Sequence, residues 1–196
     1  TYTIDANDTD VGDTIVCTAT AIDSDNQSSS DTASVTVENT SPTITLNAIS
    51  SNNGLYNDSI LTCSATVTDP DETISPTYEW SVQGTPLEYI NSFDLTTAQL
   101  IPGDTVVCTV SVVDSQGESA QDSNSVVLLN RTPTTPGISL APTQPTELVD
   151  DVTCSVDTPS VDPDGDSLSY TFTWLDSNLN ILQKELIKIL KILSLL

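Results

Sequence analysis

Apolar and small polar residues alternate at every second position through most of this chain, and the alternation predicts strands. In SILTCSATVTD, residues 59–69, Leu61, Cys63, Ala65 and Val67 share one face; in GDTVVCTVSVVD, residues 103–114, Val106, Cys108, Val110 and Val112 do. A period of two gives each segment one face to bury and one to leave in water. A third such segment carries Trp80 between them. Turn chemistry separates the strands at Asn53-Gly54, Gln83-Gly84, Pro102-Gly103-Asp104 and Gln116-Gly117. Further short strands are expected over residues 43–46, 87–90, 93–95 and 125–129. The pattern is that of an all-β chain folded as packed antiparallel sheets.

The pattern also recurs at a fixed interval. VGDTIVCTATAIDS around Cys17 matches PGDTVVCTVSVVDS around Cys108, and LTCSATVTDPD around Cys63 matches VTCSVDTPSVDPD around Cys154; the offsets 108 − 17 and 154 − 63 are both 91. Trp80 is echoed by Trp174, 94 positions on. Two cysteine pairs with one period predict tandem units. Residues 1–40 are read as the second half of a unit, with strands over 2–4, 14–22 and 33–37. Residues 41–131 are a complete unit, and residues 132–183 the first half of another. Residues 39–42 and 130–133 are matching linkers in which Pro42 and Pro133 end one unit and stiffen the next. No start-like segment precedes Thr1, so a piece of something longer is expected.

Composition narrows the function. Four Lys and Arg stand against 28 Asp and Glu, a net charge of −24, with no His and no Met. Such a polyanion cannot neutralise phosphates, which argues against a nucleic-acid partner. Absence of His removes the commonest general base, and Ser and Thr, though abundant, lie in no nucleophile-elbow motif. The chain therefore reads as non-enzymatic. Zinc sites cluster cysteines a few residues apart, whereas these four stand about 45 residues apart, one per expected strand. Four buried free thiols are the alternative to disulfide bonding.

A cysteine, a tryptophan and a second cysteine on separate inward-facing strands, together with the run Asp162-Pro163-Asp164-Gly165-Asp166-Ser167-Leu168-Ser169-Tyr170 leading to Trp174, resemble tandem bacterial Ig-like, PKD-like and cadherin-like repeats. The resemblance spans residues 1–183 and implies tandem immunoglobulin-like β-sandwiches, one complete and two partial. It implies Trp80 and Trp174 as core residues and a disulfide between Cys63 and Cys108 across the sheets. Cys17 and Cys154 then have no partner within their own repeats. It further implies an extracellular or cell-surface location and, as partners, the neighbouring repeats of a longer chain.

Asp162, Asp164 and Asp166 alternate, a spacing that can present hard oxygen ligands to Ca²⁺. Asp69 and Asp71 offer a shorter version. The sequence equally supports Asp/Gly turns between strands, and both readings stand. From Lys184 the pattern changes: in KELIKILKILSLL, Lys184, Lys188 and Lys191 stack on one helical face. Residues 184–196 are expected as an amphipathic helical tail, too short and too charged to span a bilayer. It either touches a membrane surface or is not native sequence.

Two functions are expected from this reading. The first is a structural spacer or stalk in a secreted or cell-surface protein. The second is an adhesive module for a protein or glycan ligand, rigidified by Ca²⁺, with Tyr56 and Tyr89 as its candidate contact aromatics. Scarcity of loop aromatics favours the spacer.

Overall fold

The computed structural model describes residues 1–5 and 8–187. Its strands are β1 (Thr14–Ile22), β2 (Ser28–Thr36), β3 (Thr43–Ser51), β4 (Ile60–Thr68), β5 (Thr77–Val82), β6 (Thr85–Glu88), β7 (Ser92–Asp94), β8 (Thr105–Val113), β9 (Ser119–Val127), β10 (Gly137–Ala141), β11 (Thr153–Thr158), β12 (Tyr170–Leu175) and β13 (Ile181–Ile187). All described strand pairs are antiparallel.

The centre of the chain forms two sheets, of order β3-β4-β7 and β6-β5-β8-β9. They face one another as a β-sandwich-like unit, and the alternation dictates what lies between them. Leu61, Cys63, Trp80, Leu95, Val106, Cys108 and Val110 are completely buried, and Phe93, Val112 and Leu128 nearly so. Burying each large apolar side chain contributes about 1.5–3 kcal/mol. The sheets are joined covalently: Cys63 on β4 and Cys108 on β8 form a disulfide with Cα atoms 6.4 Å apart.

Trp80 sits directly opposite Cys108 across the β5–β8 pair. Its indole packs against the Phe93 ring with centroids 6.0 Å apart. Its Nε1–H donates to the Ile90 carbonyl at 2.9 Å, so the one polar atom of the largest core residue is satisfied.

The flanking segments form two-stranded sheets, β1-β2 on one side and β10-β11 and β12-β13 on the other. Hairpin β1–β2 pairs Cys17 with Ala33, and β8–β9 pairs Cys108 with Asn124; each residue of the second pair lies 91 positions beyond its counterpart. A five-residue loop recurs as well. Asp23, Asp114 and Asp176 each accept two backbone N–H groups through Oδ1, from Asp25 and Gln27, Gln116 and Glu118, and Asn178 and Asn180. The fourth loop position takes positive φ at Asn26 (65°), Gly117 (94°) and Leu179 (65°), which Asn and Gly adopt readily and Leu does not.

Several expectations need correction. Residues 2–4 form no strand, β2 starts at Ser28 inside the expected polar turn, and β9 starts at Ser119, well before position 125. In both cases a hairpin partner recruits polar residues that carry no apolar signal. The helical tail is also wrong over its described part: residues 184–187 continue β13, with Lys184 opposite Thr173 and Ile187 opposite Tyr170. Pairing with β12 satisfies their backbone, whereas a 13-residue helix alone in water is marginal. The boundary at 183 thus cuts a strand, and residues 188–196 lie outside the described residues. Trp174 is half-buried, unlike Trp80.

Candidate functional site

The acidic motifs of the sequence lie in the β4–β5 and β11–β12 loops, each packed against a linker. In both, proline follows an aspartate and tightens the backbone, so the first carboxylate folds back on its own loop. Asp69 Oδ1 accepts from the backbone N–H of Asp71 at 2.8 Å, and Asp162 Oδ1 from that of Asp164 at 2.9 Å. The second aspartate then faces the linker. The Thr40 N–H donates to Asp71 Oδ2 at 2.6 Å, and the Arg131 N–H to Asp164 Oδ2 at 2.5 Å. Thr40 and Arg131 are 91 residues apart, so one contact is made twice.

Around the first linker the remaining contacts are uncharged donors on carboxylates. Asn39 Nδ2 donates to Asp114 Oδ2 at 2.8 Å, the Ser41 hydroxyl to Glu118, and the Ser115 N–H to Glu72 Oε1 at 2.6 Å. The Asn39 amide holds the Asp114 carboxyl below its ordinary pKa; burial pulls the other way, and backbone N–H groups of Glu118, Gly117 and Gln116 add to the lowering. The second carboxylate oxygen of Asp69 is buried without a hydrogen-bond partner.

Around the second linker a cation takes over. Arg131 Nε donates to Asp164 Oδ1 at 2.9 Å, and Nη2 lies 2.8 Å from the same oxygen. Nη1 pairs with Asp58 at 2.9 Å, while Nη2 also donates to Asn57 Oδ1 and the Pro163 carbonyl. The guanidinium lies 4.6 Å from the centroid of the Tyr56 ring, a cation–π distance. Asn57 Nδ2 donates to the Asp164 carbonyl at 3.1 Å. Burial raises the Asp164 pKa, but hydrogen bonds from the Arg131 backbone and side chain, with its charge, outweigh burial and leave it lowered. The Arg131 pKa is raised, chiefly by its hydrogen bonds to Asp58 and Asp164.

These commitments bear on Ca²⁺, which takes six to eight oxygens. Asp162 Oδ1 is engaged by its own loop, also accepting from Asp166 N–H at 3.3 Å. Asp164 is engaged by Arg131, and Asp71 by Thr40. As arranged, the two loops present hydrogen-bonded turns. Among the described residues, no three His, Cys, Asp or Glu side chains are grouped to hold a metal ion.

The cysteines divide as expected for the central pair, which is bonded, while Cys17 is free and exposed and Cys154 free and half-buried. Sequence reasoning missed Arg131. Its signal was available: it is the single arginine of a chain with net charge −24, and it sits in a linker. Tyr56, expected as an exposed contact, lies under that arginine, whereas Tyr89 is 64% exposed. Among the described residues, no helix is long and apolar enough to cross a membrane. Compared with models of protein families, with curated proteins and with solved structures, the chain matches none.

Proposed function

We propose that the chain is a non-enzymatic spacer: a run of tandem immunoglobulin-like β-sandwiches within a larger secreted or cell-surface protein. The central unit supports this with seven strands in sheets of three and four and a Cys63–Trp80–Cys108 pin, the arrangement expected of that fold. A disulfide suits an oxidising compartment.

The observation that carries the reading is Arg131. One side chain is gripped by Tyr56, Asn57 and Asp58 on the central unit and by Pro163 and Asp164 beyond the linker. A flexible tether has no use for such a clamp, and a spacer that must transmit position does. The test is backbone ¹⁵N relaxation on the whole chain. Amides of residues 41–131 and 134–175 are expected to share one tumbling time. Separate tumbling times would overturn the reading.

A second reading, an adhesive module, draws on one observation. Leu87, Tyr89 and Ile90 are 40%, 64% and 58% exposed beside one another, a small apolar patch suited to a protein or glycan ligand. Ca²⁺ enters only here, as a rigidifying ion. Tyr89→Ser should abolish adhesion to such a ligand if this reading holds, and leave spacing unchanged.

A further inference from the structure

The part of the Arg131 clamp that belongs to the central unit is carried by the loop joining β3 to β4. That loop also holds the only Asn-Gly pair of the chain, Asn53-Gly54. An asparagine followed by glycine is the pair most prone to cyclise, because no Cβ shields the attacking backbone nitrogen or restricts its φ. In a folded chain the reaction further requires that both reacting groups be free. Asn53 and Gly54 are exposed. Among the described residues, neither the Asn53 side-chain amide nor the Gly54 N–H has a hydrogen-bond partner. The neighbouring asparagines are tied: Asn52 Oδ1 accepts from the Ile60 N–H at 2.9 Å, and Asn57 Nδ2 donates to the Asp164 carbonyl at 3.1 Å.

What rests on this pair gives the chemistry a consequence. Gly54 takes φ of 78°, and a Cβ there would stand 2.8 Å from Tyr56 Cε2. The Tyr56 ring therefore lies directly against Gly54, and the Arg131 guanidinium lies 4.6 Å from the centroid of that ring. A buried hydroxyl joins the same residues. Ser59, 0% exposed, accepts from the Tyr56 N–H at 3.4 Å and donates to the Asn53 carbonyl at 3.5 Å. The peptide unit between Asn53 and Gly54 thus touches the platform of the clamp on both of its sides, through Gly54 and through its own carbonyl.

We infer that Asn53 is a self-modification site, which converts to isoaspartate with time and thereby releases Arg131. The release rests on the clamp reading of Arg131 in the proposed function. The Gly54 nitrogen gives its proton to water and attacks Asn53 Cγ. The Cγ–Nδ2 bond breaks, and Nδ2 takes up a proton and leaves as ammonia. Water then adds to one carbonyl of the five-membered imide and breaks its bond to the Gly54 nitrogen. Opening at Cγ gives aspartate. Opening at the former backbone carbonyl gives isoaspartate, whose chain runs through Cβ and Cγ and whose α-carboxylate is free. No oxidant or reductant takes part. Isoaspartate lengthens the backbone by one carbon beside Gly54 and turns the carbonyl that Ser59 holds into a carboxylate. Gly54 then shifts against the Tyr56 ring, and the platform under Arg131 moves with it.

The test ages the full chain in warm, mildly alkaline buffer and follows it by peptide mapping that separates asparagine, aspartate and isoaspartate. Asn53 should convert at least tenfold faster than Asn91 or Asn124, each followed by serine, and mainly to isoaspartate. Conversion no faster than at those two overturns the inference. The single arginine gives one Nε–H resonance, held in the fresh chain by Asp164 Oδ1 at 2.9 Å. After conversion that resonance should move to the position of free arginine, and residues 41–131 and 134–175 should no longer share one tumbling time. Asn53→Gln, aged alongside, should keep both, because its longer side chain cyclises far more slowly. Asn53→Asp carries the added charge on an ordinary backbone and should also keep both. A fully converted chain whose arginine resonance stays in place overturns the release, as does its loss from aged Asn53→Gln. Failure of the clamp reading shows earlier, as separate tumbling times in fresh chain, and removes the release with it.

Discussion

Arg131 holds Asp164 twice, through its backbone N–H at 2.5 Å and its guanidinium at 2.8 Å. The backbone half of that grip recurs at Thr40 and Asp71, but the charged half does not. The two linkers therefore share a backbone lock and differ in whether an ion pair reinforces it. Because Arg131 matches two hydrogen-bonding directions at once, lysine is no substitute. Arg131→Lys and Arg131→Ser should both raise the Asp164 pKa, Arg131→Ser more, measured by carboxyl carbon titration in NMR. An unmoved Asp164 would show that the arginine does not govern it.

Acid should open both linkers. The carboxyls of Asp114 and Asp164, and of Asp176 in its hairpin loop, titrate below their ordinary value; for Asp176 the main cause is the Asn180 side-chain amide. A folded-state pKa below the unfolded value, about 3.9, gives stability that is present above that pH and lost as pH falls through the folded pKa. Hydrogen exchange of the Asn39 side-chain amide, bonded to Asp114, and of the Arg131 backbone N–H, bonded to Asp164, should be flat from pH 7 to about 5, after correction for intrinsic rates, and rise steeply below about 4. Loss of protection already near neutral pH would contradict the assignment.

The central disulfide closes a sequence separation of 45 residues, which chain entropy values at about 4 kcal/mol. The double variant Cys63→Ala, Cys108→Ala should lose stability of that order in urea unfolding. A loss below about 1 kcal/mol would mean that the thin core holds without it.

The two tryptophans should behave differently. Trp80→Ala empties a fully buried site and should cost about 3–5 kcal/mol of the central unit's stability. Trp174→Ala, half-buried and on another sheet, should change that unfolding by no more than about 0.5 kcal/mol. Equal effects would contradict the separation of the two.

Most of the central unit was legible because its strands bury one face. The rows Leu61-Cys63-Ala65 and Val106-Cys108-Val110 alternate strictly, and the structure buries them against each other. Strand β9 was nearly invisible because Gln121, Asp122, Ser123 and Asn124 carry no apolar rhythm; β8 recruits them through its backbone. The tail misled for the opposite reason. Lysines at helical spacing with Ile and Leu between them fit a helix as well as a strand, and only the pairing of residues 184–187 with β12 decides. Arg131 escapes notice in the sequence because a linker reads by its proline, and what the arginine grips lies 73 to 75 positions before it, at Tyr56, Asn57 and Asp58, and 32 and 33 positions after it, at Pro163 and Asp164. No local pattern signals a contact of that kind.

The most direct test of a stiff spacer is a distance across the second linker, measured by pulsed electron paramagnetic resonance. Spin labels are placed at Gln121→Cys and Ser155→Cys, both exposed strand positions, with Cys17 and Cys154 replaced by serine. A single narrow distance distribution is predicted for the chain with Arg131, and a markedly broader one after Arg131→Ser. A distribution already as broad with Arg131 in place would contradict the account.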